Sequence, residues 1–157
     1  MKIETKDIAL QGLLASLYIA ITFILQGVSY GPIQFRVSEF LIILVLVNKK
    51  NRVGIIIGTL IANFFSSNGM IDVLVGTMAS VIAIEMMIRI SNKGLQYLLP
   101  SIVNGLIIGL MLYYVLDLPF WIMAAEVFVS EVFVTFVPWV LIGNKVLNNE
   151  RVQEIFS

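Results

Sequence analysis

The sequence predicts an all-α membrane protein with six transmembrane helices and both termini in the cytoplasm. Of its 157 residues, 59% are apolar and only 13% are charged, and the mean hydropathy is +0.99. Hydrophobic stretches follow one another along almost the whole chain, separated by short polar junctions. Soluble globular domains do not have this composition, and helices satisfy their backbone hydrogen bonds internally in lipid. We therefore expect one integral membrane domain over residues 1–157, in the plasma membrane and without a cleavable signal peptide.

The six predicted membrane segments lie at about 8–29, 33–47, 53–67, 70–90, 95–116 and 119–143. The first, fourth, fifth and sixth are long enough to cross ~30 Å of hydrocarbon at ~1.5 Å per residue. The second and third cover only ~22 Å each, a length at which a re-entrant hairpin competes with two short spans. The basic turn at 48–52 favours two short spans, because a hairpin would leave this turn on the wrong side of the membrane.

The basic residues determine the predicted orientation. With both termini inside, nine of the ten basic residues are cytoplasmic: Lys2, Lys6, Lys49, Lys50, Arg52, Arg89, Lys93, Lys145 and Arg151. Only Arg36 lies outside, in agreement with the positive-inside rule.

Several classes of function are excluded by what the sequence lacks. It contains neither Cys nor His, which removes disulfides, thiolate chemistry, imidazole acid–base catalysis and the usual zinc sites. The net charge of zero gives no reason to expect a nucleic-acid partner. No nucleophile has a plausible base, and no G-x-x-x-x-G-K-[ST] motif is present. We therefore expect no enzyme activity and no metal or cofactor of its own, and any ATP must be used by another subunit.

Polar side chains inside the membrane gather in its predicted outer half. They are Arg36, Glu39, Asn63, Asp72, Asn104 and Glu126, with Asp117 in the outer loop and Glu131 nearer mid-membrane. Five carboxylates thus accompany a single Arg. A pocket with this lining should prefer a ligand that is cationic or rich in N–H donors.

Several of these residues also have a purely structural interpretation. Arg36 and Glu39 are three residues apart, so they can neutralise each other. Asp72 can cap the fourth helix. Asn63 and Asn104 can join neighbouring helices by hydrogen bonds worth about 1 kcal/mol each.

Two further ambiguities concern the sixth helix and the aromatic residues. Glu126 and Glu131 are five residues apart and point ~140° away from each other on a helix, so both cannot face one pocket. Tyr30 and Trp121 either anchor the outer interface or stack on a planar heterocycle.

The segment Tyr30-Gly31-Pro32-Ile33-Gln34-Phe35-Arg36-Val37-Ser38-Glu39 resembles the signature of the QueT (queuosine-precursor transporter) family. This family comprises substrate-binding S-components of energy-coupling-factor (ECF) transporters. The likeness continues through Gly58, Ala62, Asn63, Gly69, Asp72 and Gly76, and a weaker likeness in hydrophobic pattern extends from Ala9 to about Gly143.

The resemblance implies the ECF S-component fold and a 7-deazaguanine substrate such as preQ1 or preQ0. It also implies three partner subunits in the surrounding lipid, namely the coupling protein EcfT and two ATPases. Small residues four apart on helix one, Gly12, Ser16 and Ala20, would contact EcfT, since small side chains permit close helix approach. The loop between helices one and two would capture the ligand outside, and the subunit would then reorient within the membrane.

The implied ligand fits the polar residues. A guanine-like edge offers two parallel N–H donors, which Glu39 can accept in a bidentate manner. Arg36, Gln34 or Asn63 can donate to the ring carbonyl, and Asp72 or Glu126 can pair with the aminomethyl cation of preQ1. The complete predicted binding set is Tyr30, Gln34, Arg36, Glu39, Asn63, Asp72, Asn104, Trp121 and Glu126. The alternatives are an S-component for another small vitamin or amine, and a ligand-free scaffold protein.

Overall fold

The computed structural model describes residues 5–30, 35–66 and 68–156, and within these ranges the ordered elements are all helical. Helices α1 (Thr5–Ile24), α2 (Val37–Leu46) and α3 (Arg52–Asn63) come first, with single turns at Gln26–Ser29 and Lys49–Asn51. Helix α4 comprises residues 72–87, with a π-helical turn at Asp72–Gly76 and an α-helix at Thr77–Met87. Helices α5 (Lys93–Leu116), α6 (Phe120–Leu147) and α7 (Glu150–Phe156) follow.

Each of the six predicted membrane segments overlaps one of the helices α1 to α6. Among the described residues, α1, α5 and α6 are long and apolar enough to cross a membrane, with 20, 24 and 28 residues. Helices α2, α3 and α4 are shorter. The helical class is therefore confirmed, while six spans and cytoplasmic termini stay predictions.

Helix α2 has 3-10 rather than α-helical geometry over its ten residues. A 3-10 helix has ~3 residues per turn, so side chains at i and i+3 lie above one another. This period places Arg36, at the start of the helix, in line with Glu39, Ile42 and Val45, and all four are buried. The 3-10 geometry thus directs the charged end and the apolar body of α2 to the same inward face.

Glycines allow the closest helix contacts in the bundle. Helix α3 packs against α1 through Gly54 and Gly58, and α5 packs against α6 through Gly109. A Cβ at Gly109 would lie 2.6 Å from the Cα of Ala124, and one at Gly58 would lie 2.8 Å from the Cβ of Tyr18. These contacts need small residues, as their spacing in the sequence predicts for helix packing in lipid.

The hydrophobic core surrounds α2, whose residues 41–45 are all buried. Helices α1, α3 and α6 contact α2 from different sides. The Trp139 indole donates a hydrogen bond of 3.0 Å to the carbonyl of Phe40, which fastens α6 to α2. The start of α2 is thereby held inside the bundle.

Two helices contain a π-helical turn close to the level where α2 begins. One occupies Asp72–Gly76 in α4 and the other Val132–Phe136 in α6, directly after Glu131. Pro138 follows the second turn, and its missing N–H and its ring disfavour a regular α-helical bond at this point. Such turns insert an extra residue and often occur at functional sites.

Candidate functional site

A small cavity lies within the bundle where α2, α4, α5 and α6 meet. Its free volume is about 10 Å³, the size of one water molecule. The residues that line it are Arg36, Glu39, Gly76, Ser80, Asn104, Ile108, Val127 and Glu131. Five of these eight lining residues are polar, although the bundle around the cavity is apolar.

Glu39 lies at one side of this cavity, where Tyr18 and Arg36 both contact its carboxylate oxygen Oε1. The Tyr18 hydroxyl donates to Oε1 at 2.6 Å, and the Arg36 guanidinium lies 3.9 Å from the same oxygen. The second oxygen, Oε2, has no hydrogen-bond partner among the described residues, although Glu39 is only 1% exposed. Arg36 and Glu39 thus form the ion pair that their separation of three residues predicts. This pair engages Oε1 and leaves Oε2 of Glu39 without a partner in the described part of the chain.

A second hydrogen bond between α1 and α2 supports this arrangement. The hydroxyls of Thr22 and Ser38 are 2.7 Å apart, and the Thr22 hydroxyl also bonds the carbonyl of Tyr18 at 2.9 Å. All three side chains are fully buried. The face of α1 that carries Tyr18 is thus fixed against the start of α2.

Glu131 and Asn104 form the opposite side of the cavity. The Asn104 amide donates to Oε1 of Glu131 at 3.2 Å, which joins α5 to α6. Oε2 of Glu131 and Oδ1 of Asn104 have no partner among the described residues, and Glu131 is 5% exposed. The sequence left open whether Glu126 or Glu131 faces inward, and the structure assigns that position to Glu131. The sequence carries no signal that separates the two, and the predicted binding set names Glu126 instead.

The free polar atoms of the lining residues define what the cavity can recognise. Three acceptors lack a partner among the described residues, namely Glu39 Oε2, Glu131 Oε2 and Asn104 Oδ1. In the same part of the chain, one donor, Arg36 Nε, is also unpaired. Buried polar groups are normally satisfied, so this set suits a compact ligand with several N–H donors and one acceptor. No group of three potential metal ligands occurs in the described part of the chain.

Asn63, Asp72 and Tyr30 lie outside the cavity lining and have other partners. Asn63 donates to the Thr77 hydroxyl at 3.1 Å, and the Tyr30 hydroxyl donates to the carbonyl of Ala62 at 2.5 Å. The Asp72 carboxylate accepts from the Ser66 hydroxyl and, at 3.2 Å, from the Asn68 amide.

The helix-capping interpretation of Asp72 is wrong, because its carboxylate binds loop side chains and no side-chain cap bond forms at the start of its π turn. Asn63 does join α3 to α4, as the structural alternative proposed, although its Oδ1 has no partner among the described residues.

Two other predicted residues, Trp121 and Glu126, do not reach the cavity in the described structure. Trp121 is 77% exposed, and its ring centre lies 4.7 Å from that of Phe120 with the two rings tilted by 60°. Glu126 is half-buried and is not part of the lining, since Glu131 occupies the inward position on α6. Gln34 lies outside the described residues. A binding role for Trp121 or Glu126 stays a prediction that this geometry does not support.

The stripe of small residues on α1 lies on the surface of the bundle. Gly12, Ser16 and Ala20 are all exposed, and a Cβ at Gly12 would meet no atom within 4 Å. The Ser16 hydroxyl bonds the carbonyl of Gly12 at 2.8 Å, so it presents no unsatisfied donor. These three positions are therefore accessible for a close helix contact.

The comparison with known families decides the class of the protein. The family model described as "QueT transporter" matches residues 8–145, which include every residue of the cavity lining. This chain belongs to the QueT transporter family. A transporter family is not an enzyme class, and its membership agrees with the three helices that are able to cross a membrane.

One curated member of the QueT family aligns with part of the chain. It is the queuosine precursor transporter QueT of Lactococcus lactis subsp. cremoris (strain MG1363), which is 36% identical over 94 residues. The aligned region is 59% of this chain and 55% of that protein, so the match spans about half the length of the relative. No solved structure matches the chain significantly.

Proposed function

We propose that this protein is the substrate-binding S-component of an ECF-type importer in the plasma membrane, and that it binds a 7-deazaguanine such as preQ1 or preQ0. The observation that carries the proposal is a buried carboxylate, Glu39, with one free oxygen at a polar cavity in a member of a transporter family. An unsatisfied carboxylate inside a membrane is costly, so a ligand that satisfies it gains binding energy.

The ligand edge fits the lining as follows. Two parallel N–H groups of the guanine-like edge bind the Glu39 carboxylate, with Oε2 as the first acceptor. Arg36 lies three residues before Glu39 on the same face of α2. Its Nε, which has no partner among the described residues, donates to the ring carbonyl of the ligand. Asn104 Oδ1 accepts a further ring N–H. Arg36 thus both neutralises Glu39 and binds the ligand.

The cavity has to widen before such a ligand enters. Its free volume of about 10 Å³ holds one water, whereas ligand pockets commonly measure ~300 Å³ or more. We expect ligand binding to separate the α2 side of the cavity, with Glu39, from the α5–α6 side, with Asn104 and Glu131. Binding at the outer face then precedes delivery to the cytoplasm, in a multi-pass subunit with six spans and both termini inside.

Energy for transport comes from other subunits in this proposal. The sequence has no phosphate-binding glycine motif, so ATP is used by two ECF ATPases that act through EcfT. The exposed stripe of Gly12, Ser16 and Ala20 is the surface proposed for EcfT, because small residues let helices approach closely in lipid. The subunit itself needs no cofactor.

The test is a ligand screen with the purified protein in detergent. Thermal unfolding is measured with preQ1, preQ0, queuine, guanine and common vitamins, since a ligand that binds the folded state raises its apparent stability. We expect stabilisation by the deazaguanines above all. Stabilisation by an unrelated vitamin or amine would instead indicate a different S-component, and no stabilisation by any compound would support a ligand-free scaffold.

A further inference from the structure

We infer that Glu131 is a cation-binding carboxylate, and that a cationic ligand enters the cavity in exchange for a proton held there. This inference rests on the proposed function, because it concerns ligand binding at the same cavity. It adds Glu131, which is outside the predicted binding set, and it predicts that the charge of the ligand decides whether a proton is released.

The charges around the cavity do not balance. Glu39 and Glu131 line it together with one cation, Arg36. Of the other titratable groups near it, α1 supplies Tyr18, which bonds Glu39, and α4 supplies Asp72, which is bonded to two loop side chains. With both lining carboxylates ionised, the buried lining would carry a net charge of −1, and an uncompensated charge inside a bundle is strongly disfavoured.

Glu131 is the carboxylate that lacks compensation. Glu39 has the Tyr18 hydroxyl and the Arg36 guanidinium at its Oε1. Glu131 has a single neutral donor, the Asn104 amide, at 3.2 Å, and its Oε2 is buried without a partner in the described part of the chain. The ligand-free cavity is therefore neutral when Glu131 holds a proton.

The exchange conserves charge. A ligand ammonium group that reaches Oε2 of Glu131 brings one positive charge, and the carboxyl proton leaves for the solvent buffer. The net charge of the cavity and its ligand stays the same, so the cost of burying an unpaired charge is avoided in both states. A neutral ligand brings no charge, and Glu131 keeps its proton.

The decisive measurement is isothermal titration calorimetry of the full-length protein in detergent. Titrations with preQ1, which carries an ammonium, and with preQ0, its neutral nitrile, are made in phosphate and in Tris at one pH. Because the two buffers differ in ionisation enthalpy, the difference in heat gives the number of protons released. We expect about one proton per preQ1 and none per preQ0.

Two matched variants then locate the proton. Glu131→Gln should abolish proton release and weaken preQ1 binding by about tenfold or more, while preQ0 binding changes little. Glu154→Gln removes an exposed carboxylate on α7, outside the cavity, and it should leave both ligands unaffected.

The outcomes separate the two proposals. If both ligands bind to the wild-type protein without proton release, the exchange is refuted while the proposed function stands. If release persists in Glu131→Gln, the assignment to Glu131 is overturned. If neither ligand binds, the proposed function fails and this inference fails with it.

Discussion

The Tyr18 hydroxyl donates a 2.6 Å hydrogen bond to Oε1 of Glu39, and this contact joins the first helix to the start of the second. It determines which carboxylate oxygen remains free. Because Oε1 also faces Arg36, at 3.9 Å, Oε2 is the oxygen without a partner among the described residues and the first acceptor for a ligand. The hydrogen bond from Tyr18 thus joins α1 to α2 and also orients Glu39, the main proposed binding group.

Replacing Tyr18 by Phe should weaken both the fold and ligand binding. The change leaves Oε1 of Glu39 without its donor, and an unsatisfied buried acceptor costs about 1–3 kcal/mol. Thermal unfolding in detergent should therefore occur at a lower temperature, and calorimetry should give a lower ligand affinity. Tyr113→Phe is the matched control, because Tyr113 is exposed on α5. Equal stability and affinity in wild-type and Tyr18→Phe proteins would show that this bond does not orient Glu39.

Glu39→Gln should lose most of the ligand affinity. The amide keeps the size of the side chain but replaces one acceptor by a donor, so the two parallel N–H groups of the ligand meet only one acceptor. Charge-assisted hydrogen bonds contribute about 1.5–3 kcal/mol, which corresponds to a loss of about 10-fold to 100-fold. Titration of Glu39→Gln beside Glu154→Gln, which changes an exposed carboxylate outside the cavity, checks this. Near-wild-type affinity of Glu39→Gln would refute the role of Glu39.

Gly109→Ala should destabilise the contact between α5 and α6. The added Cβ would lie 2.6 Å from the Cα and 2.7 Å from the backbone nitrogen of Ala124, and the backbone cannot yield as a flexible side chain does. Overpacking of this kind commonly costs about 1–3 kcal/mol. Gly12→Ala is the control, since its Cβ meets nothing within 4 Å. Thermal unfolding should distinguish the two variants, and identical midpoints would contradict the close packing at Gly109.

Replacing both Gly12 and Ser16 by Leu should abolish uptake in cells but leave ligand binding intact. Both positions are exposed, so the variant folds, while the bulky side chains prevent a close helix contact with EcfT. Ala125→Leu adds the same side chain at an exposed position of α6 and should transport normally. Binding by calorimetry, co-purification with the ECF subunits and uptake are measured in parallel. Formation of a normal complex by the double variant would mean that EcfT docks elsewhere.

Much of the architecture follows from local properties of the chain. The apolar stretches predict helices at the right places, since lipid requires internal backbone hydrogen bonds. The spacing of Gly54 with Gly58 predicts a close helix contact, which the structure contains. The segment that carries Arg36 and Glu39 stands out because charges are rare between apolar helices. These inferences need no knowledge of how the helices are arranged.

The sequence by itself determined the helical membrane class and predicted that Arg36 and Glu39 belong to the candidate site, whereas tertiary packing decided which other polar groups line the cavity with them. Helix α6 is apolar on most sides, so its sequence pattern does not show which of Glu126 and Glu131 points inward. The partners of Asp72 come from a loop rather than from its own helix. The 3-10 geometry of α2 and the π turn after Glu131 also change the angle between successive side chains. Pro138 favours the π turn locally, whereas the packing of α6 against α2 and α5 brings Glu131 and Glu39 to the same cavity.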